Sequence, residues 1–373
     1  MRGVYLTTYD ITNPSDGVAK KIVSQIKCFE NAGFDMIIVD ANDIPSGNYY
    51  KFRKIISKFL ATAYVTGCLY DYLINNIDLN TVDFIYIRKG YCDIRQIHAL
   101  KKIKRINPSI KILMEIPTYP YDQEFGGRRR FLAIPRDKKA RKYLYKYLDR
   151  IVTYSVDPVI FGIPTLRISN GIDYKKVSLK NTKTHDGINI IAVALFDYWH
   201  GYDRILMGIA NQKDVVKTNG VVFHMVGEGR ALTKYKEIVE ENSLEDNVVF
   251  HGRLFGEALE TIYDVCDIGI DTLARHRVGV NYNSTLKGKE YCAKGLPIIS
   301  GVITELDDMN CDYYHRVPAN DDAVLIDEIV DFYHCMYDGK DAALVAESIR
   351  KQSQQIFHFP NTFASIVEYI KKK

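Results

Sequence analysis

Between residues 271 and 301 the chain gathers the residue types that handle anions. Asp271-Thr272-Leu273-Ala274-Arg275-His276-Arg277 precedes Ser284-Thr285-Leu286-Lys287, and Glu290 follows one helical turn after Lys287. A loop with two arginines that leads into a helix start carrying a lysine suits a nucleoside diphosphate. Amides and cations hold the phosphates there, while a carboxylate accepts hydrogen bonds from the ribose hydroxyls. Lys287 and Glu290 share a helix face, so an ion pair between them is the competing reading.

Three further loops carry costly residue types. Phe196-Asp197-Tyr198-Trp199-His200-Gly201-Tyr202-Asp203-Arg204 places the only tryptophan beside a histidine, a glycine and a charged pair. Packing of Trp199 and a surface Asp203–Arg204 pair would explain it without a ligand. Val226-Gly227-Glu228-Gly229-Arg230 has the first two glycines of a dinucleotide fingerprint, but Leu232 stands at the third, which excludes a nicotinamide dinucleotide. The tight turn expected there still brings backbone amides near a nucleotide. His251-Gly252-Arg253 ends another apolar run. In the N-terminal half, Asn13-Pro14-Ser15-Asp16-Gly17 opens a helix, either as an anion site at Gly17 or as an ordinary cap.

The elements that must position these loops follow from periodicity. Short apolar runs alternate with helical patterns, the signature of parallel sheets covered on both faces. Strands are predicted at 3–8, 35–39, 83–87, 111–116, 150–154, 189–195, 221–226, 247–251, 267–270 and 297–300. Asn170-Gly171 and a polar run over 175–184 break the series, which restarts at Asn189. The expected architecture is α/β, with two Rossmann-like doubly wound parallel-sheet domains facing a central cleft. The first covers 1–168, with a C-terminal helix at about 357–373 packing back on it, and the second covers 169–356. Ligands are expected at the carboxyl ends of the strands.

Composition sets outer bounds. The 373 residues are 47% hydrophobic, enough for two or three domains, and 50 basic against 46 acidic residues leave a net charge of only +4. A dedicated nucleic-acid binder would be more basic. Seven cysteines without CxxC or zinc spacing read as reduced thiols of a cytoplasmic protein, and no apolar run approaches membrane-spanning length. The charge is uneven, because residues 101–150 hold 15 basic and 5 acidic side chains. That clustering implies a face that meets something anionic or a merely solvated surface.

Taken together, Ser169-Asn170-Gly171-Ile172-Asp173, Val226-Gly227-Glu228-Gly229, His251-Gly252-Arg253 and 286–297 resemble the GT-B glycosyltransferases, specifically retaining enzymes similar to glycosyltransferase family four. The likeness extends over most of the chain. Trp199 to Arg204, the Glu115-Ile116-Pro117-Thr118-Tyr119-Pro120-Tyr121-Asp122 segment and 273–277 resemble a bacterial branch that builds capsular or exopolysaccharide chains. The resemblance implies that Glu290 matches the second glutamate of the family's Glu-x7-Glu motif and binds the ribose. It further implies that Arg277, Lys287 and His200 act on the diphosphate, and that Gly17 lies under the donor phosphates. Trp199, Gly201, Arg204, Gly227, Gly229, Thr285 and Leu286 would complete the donor site, with Gly252 and Arg253 near the base. Two positions depart from the pattern. Tyr282 stands at the first glutamate, with Asn281 and Asn283 beside it, and His200-Gly201 replaces the family's Lys-Gly pair.

The resemblance therefore implies transfer of a hexose from a nucleotide sugar, a UDP-sugar, to a lipid-linked glycan. The expected enzyme retains anomeric configuration and uses no metal or other cofactor, in line with a sequence that contains no Asp-x-Asp. Glu115, Thr118, Tyr119 and Asp122 are acceptor-binding candidates. Arg128, Arg129, Arg130, Lys138, Lys139 and Arg141 are candidates for contact with an anionic membrane surface, on the inner face of the cell membrane, since 138–148 mixes basic with aromatic and leucine residues. A catalytically silent partner of the same fold and a non-hydrolysing sugar-nucleotide epimerase are the alternatives.

Overall fold

The structure is a computed structural model that describes residues 1–13, 17–44, 47–60, 64–122, 128–309 and 311–372, with the backbone alone at 49, 57–60 and 128–130. The chain divides into two compact units, Met1–Ile168 with Thr362–Lys373, and Ser169–Asn361.

The first unit is built on β1 (Arg2–Leu6), β2 (Asp35–Val39), β3 (Phe84–Arg88), β4 (Lys111–Ile116), β5 (Arg150–Thr153), β6 (Val159–Ile160) and β7 (Ile163–Arg167). Its seven strands are ordered β2-β1-β3-β4-β5-β7-β6, and all neighbours are parallel except β6 and β7. Every residue of β3 is buried, as a strand covered on both faces requires. Helix Gly17–Asn31 packs beside the chain's last helix, where Phe29 and Phe363 meet edge to face at 5.7 Å. Lys111 Nζ donates to the Tyr369 and Ile370 carbonyls at 3.1 and 3.0 Å, a cation on the exposed end of that helix.

The second unit holds β8 (Ile188–Phe196), β9 (Val221–Gly229), β10 (Val248–Gly252), β11 (Ile268–Ile270), β12 (Ile298–Ser300) and β13 (Tyr314–Arg316) in the order β10-β9-β8-β11-β12-β13, all parallel. The chain runs outward from β8 through β9 to β10, then returns to β11 on the other side of β8. The strand order therefore reverses between β8 and β11, which makes the space beyond their carboxyl ends the natural ligand crevice of this unit.

Three strands escaped the sequence reading. β6 and β7 form a hairpin in which Ile160 pairs with Ile163 across Phe161 and Gly162, with φ of 53° and 79°. Such a turn requires positive φ at both positions, and Phe161 lacks the Asn or Asp that would have signalled it. The third, β13, has only the mixed sequence Tyr-His-Arg at a sheet edge.

Candidate functional site

The loops after β8 and β11 are fastened to each other by backbone. The Leu273 N–H donates to the His200 carbonyl at 2.8 Å. Gly201 has φ of 69°, and a Cβ there would lie 2.5 Å from the Ala274 Cβ. Only glycine allows this approach. Arg204 is 2% exposed and donates to the carbonyls of Leu273 and Asp322 and to Asn320 Oδ1 at 2.6, 2.7 and 2.9 Å. Expected to bind the donor, Arg204 instead spends its guanidinium on joining three loops.

Between these loops stands Lys287, in the first turn of helix Leu286–Lys294. Its ammonium donates to Tyr202 Oη and Thr272 Oγ1, both at 3.1 Å, and lies 3.8 Å from Asp271 Oδ1. Thr285 caps the helix, accepting from the Gly288 N–H at 3.1 Å and donating to Asp271 Oδ2 at 2.7 Å. Burial lowers the Lys287 pKa to about 8, with nearby Arg275 lowering it further and Asp271 opposing. Lys287 thus pairs with Asp271 and not with Glu290.

His200 Nδ1 accepts the Asp197 N–H at 3.0 Å, which places the proton of the neutral ring on Nε2. Burial, then Lys287 and Arg275, push its pKa down to about 2. The ring is therefore a fixed neutral donor. Desolvated Lys287 and neutral His200 share one cause, burial beside the charge of Arg275.

Arg277 sits at the edge of this cluster. Its guanidinium is bidentate to Asp203 at 3.0 and 3.1 Å and also reaches Asp321 at 2.6 Å and the Tyr198 carbonyl at 2.7 Å. Its charge is neutralised by carboxylates, whereas Arg275, singled out only as part of the loop, lies 6.0 Å from the Trp199 ring and raises the potential at both His200 and Lys287. Two arginines separated by a single residue gave the sequence no means of ranking them.

Gly227 and Gly229 belong to β9, not to the tight turn expected after Val226. They pair with Ala194 and Phe196 and have φ of 137° and 147°. Beside them is a cavity of about 320 Å³ lined by Val193, Leu195, Gly227, Glu228, Arg253, Leu254 and Phe255 among others. Arg253 bonds Glu228 at 3.1 Å and covers Phe255 at 5.3 Å, while Gly252, with φ of 67°, turns the chain into this wall. Glu290 is half-buried, its Oε1 accepting from Tyr263 at 3.4 Å, and burial raises its pKa.

In the first unit, Glu115 occupies a different place from the one expected. It is 0% exposed, and its two oxygens accept from Arg88, Tyr86, Tyr154 and Gln25 at 2.5, 2.8, 2.9 and 3.1 Å. No lone pair is left to meet an acceptor. Lys21 lies 4.2 Å over the Tyr154 ring, and burial lowers its pKa to about 7 against the attraction of Glu115. The sequence reading missed this cluster because its members are separated by up to 133 residues.

Asp122 is likewise engaged, by Arg141 at 2.6 and 3.1 Å and Lys138 at 3.3 Å. Arg141, expected on a membrane surface, is instead held by Asp122 and by Asp137 at 3.6 Å. Helix Arg128–Arg141 ends there, and Leu144 and Leu148 are buried in the core, so 138–148 is not one continuous amphipathic stretch. Lys139 is exposed, Thr118 and Tyr119 are half-buried, and Gly17 opens its helix with no atom near its missing Cβ. Pro14, Ser15 and Asp16 lie outside the described residues, as do the side chains of Arg128, Arg129 and Arg130.

No family model matches the chain, and no curated protein matches it by sequence. Solved structures match it over nearly its whole length. A glycosyltransferase from Rickettsia africae ESF-5 aligns with a TM-score of 0.65 at 13% identity, covering 99% of this chain and 97% of that one. Anabaena HepE, solved with UDP and glucose, aligns at 0.57 and 13% over 100% of both. The lipopolysaccharide outer core galactosyltransferase WaaB aligns at 0.59 and 14%, covering 99% and 100%. The fold is GT-B, as the sequence resemblance implied.

Proposed function

We propose that the protein is a glycosyltransferase whose second unit binds a UDP-sugar and whose hexosyl group passes to a sugar acceptor. The observation that carries this reading is the cluster of Lys287, Arg275 and neutral His200 in the loops and helix start after β8 and β11. As the glycosidic bond breaks, negative charge develops on the departing diphosphate, and preorganised donors aimed at it lower the barrier. Lys287 supplies a charge and His200 Nε2–H a neutral hydrogen bond. Glu290 accepts from the ribose hydroxyls, and the cavity beside Gly227 and Arg253 takes the base. Tyr282, Asn281 and Asn283 replace the first carboxylate and face the donor sugar.

The finer reading is a retaining transfer, independent of metal, to a lipid-linked glycan of a bacterial surface polysaccharide, with the first unit binding the acceptor through Thr118 and Tyr119. In that reading the departing phosphate takes the acceptor proton on the same face of the sugar, so no separate base is needed. Support comes from the fold shared with HepE and WaaB and from the absence of a ligand-facing carboxylate at Glu115. The test is calorimetry with UDP followed by a panel of nucleotide sugars in EDTA. Saturable UDP binding and slow release of UDP from one sugar nucleotide are expected. Epimer formation, or binding without turnover under any acceptor, would replace the transferase reading.

A further inference from the structure

A cavity of about 270 Å³ opens in the second unit where helix Asp203–Asn211 and helix Leu232–Asn242 begin. Asp197, Tyr198, Asp203, Arg230, Lys234 and Arg277 line it. Sites for drug-sized ligands run from about 300 to 1,000 Å³, so this one has room for little more than a single ring. It adjoins the cluster of Lys287, Arg275 and His200 without including any of the three. Trp199 touches both, with Arg230 at 5.7 Å from its ring and Arg275 at 6.0 Å.

The charges around this cavity cancel. Arg230 Nε donates to Asp197 at 3.0 Å, Lys234 to Asp203 at 3.2 Å, and Arg277 is shared between Asp203 and Asp321. Three cations meet three carboxylates, so the site asks for a neutral ligand. The pairs still face solvent, since the Arg230 and Lys234 side chains are 77% and 63% exposed. Each pair sets N–H donors beside carboxylate acceptors. A vicinal diol, whose hydroxyls both donate and accept, can bridge such a pair. Tyr198, 50% exposed, adds an apolar ring face against which the C–H face of a sugar can pack. A nucleobase would use the ring but leave the ion pairs unanswered, and a phosphate would meet Asp197 and Asp203.

We propose that this cavity is a second saccharide site, which takes one neutral sugar residue of the acceptor glycan, its hydroxyls bridging the Asp197–Arg230 and Asp203–Lys234 pairs and its ring lying on Tyr198. The inference deepens the glycosyltransferase reading and rests on it for the identity of the glycan, though not for the geometry of the cavity. A residue held outside the donor cluster is not the one that receives the hexosyl group. The acceptor is therefore a glycan of more than one residue.

The experiment is titration of the full chain with glucose, galactose, N-acetylglucosamine and lactose, beside UDP calorimetry on the same samples. Fluorescence of Trp199, the only tryptophan, reads it out, because its ring meets that of Tyr198 at 5.1 Å. At least one of these sugars should saturate, both with and without bound UDP, and neither glucuronate nor inorganic phosphate should displace it. Tyr198→Ala and Lys234→Met should each weaken that sugar about 10-fold, and neither should change UDP affinity. Displacement of the sugar by UDP would place it in the donor cluster and overturns the proposal. So does equal sugar binding by wild type and both variants, or stronger binding of glucuronate or phosphate. Saturation by none of the four sugars overturns it too, leaving a crevice filled by water. If UDP fails to bind while the sugar still does, the donor-site reading falls and the saccharide site stands.

Discussion

Lys287 Nζ donates to the hydroxyl of fully buried Tyr202 at 3.1 Å, so this ammonium at the reversal point of the second sheet is held by a neutral partner that cannot balance its charge. Asp271, at 3.8 Å, compensates only in part, and burial brings the pKa down to about 8. A bound diphosphate would add negative charge beside Lys287 and raise that pKa. UDP affinity should therefore fall as pH rises through 8, and calorimetry between pH 7 and pH 9 should show it. In Lys287→Met the pH dependence should vanish and affinity should drop by about 1.5–3 kcal/mol, the range for a hydrogen bond to a charged group. For stability the sign is opposite. Between pH 8 and the ordinary lysine value the unfolded chain binds the proton that the folded chain has lost, so stability without ligand rises with pH across that window.

Glu115 offers a contrasting case, a buried charge that is fully paired. Its pKa is lowered because Arg88, Lys21 and the Tyr86 and Tyr154 hydroxyls together outweigh its burial. Glu115→Ala should destabilise the first unit by about 3–5 kcal/mol, since Arg88 would be left buried without a counter-charge. Glu115→Gln keeps hydrogen-bonding capacity and should cost less. Denaturant unfolding measures both. Because the folded pKa lies below the unfolded one, the contribution of Glu115 is present above the ordinary carboxylate range and is lost as pH falls below it.

Gly227 and Gly229 should tolerate no side chain. A Cβ at Gly227 would lie 1.9 Å from the Ala194 carbonyl oxygen and one at Gly229 2.2 Å from that of Phe196, both backbone atoms in the central strand of the sheet. Gly229→Ala should separate β8 from β9, lowering thermal stability and UDP affinity together. Gly252→Ala, with no atom within 4 Å of its Cβ, should cost only the strain of its positive φ. Equal melting temperatures for Gly229→Ala and wild type would show that the strands can part without cost.

What the sequence made legible was periodic. Continuous apolar runs such as 84–87 and 190–196 located the inner strands because strands buried on both faces are rich in apolar side chains. The hairpin of β6 and β7 was hidden because Phe161 stands where a turn signal would be. Site residues near one another in sequence, Asp271 to Lys287, were found as a group, but their partners were not. Nothing in the order of residues says that Arg277 faces Asp203 while Arg275 faces Trp199, because this depends on how a short 3-10 turn directs alternate side chains. Glu115 was drawn towards a ligand role for the same reason. A lone carboxylate at a strand end reads as free until Gln25, Tyr86, Arg88 and Tyr154 arrive from three other elements.

A last prediction concerns a chain of hydrogen bonds across the second sheet. Asn189 Oδ1 accepts from His224 Nε2 at 3.0 Å, so the other nitrogen of neutral His224, Nδ1, accepts from His251 Nε2, also at 3.0 Å. Asn189 Nδ2 donates to His185 Nδ1 at 3.0 Å, and His185 Nε2 reaches Asp267 at 3.2 Å. Every donor points the same way, towards a carboxylate. Burial, then His251 and His185, lower the His224 pKa to about 4, while Asp267 raises that of His185. His224 should therefore remain the Nε2–H tautomer from pH 8 to pH 5, visible in ring nitrogen chemical shifts. Below pH 6.5 the unfolded chain takes up a proton that folded His224 refuses, so His224 makes stability fall with pH down to about 4. Buried His200 acts in the same direction, and His185, with its raised pKa, acts in the opposite one. His224→Gln should flatten the decline in melting temperature between pH 7 and pH 5. A decline as steep in the variant as in wild type would locate the acid sensitivity elsewhere, with His200 the next residue to replace.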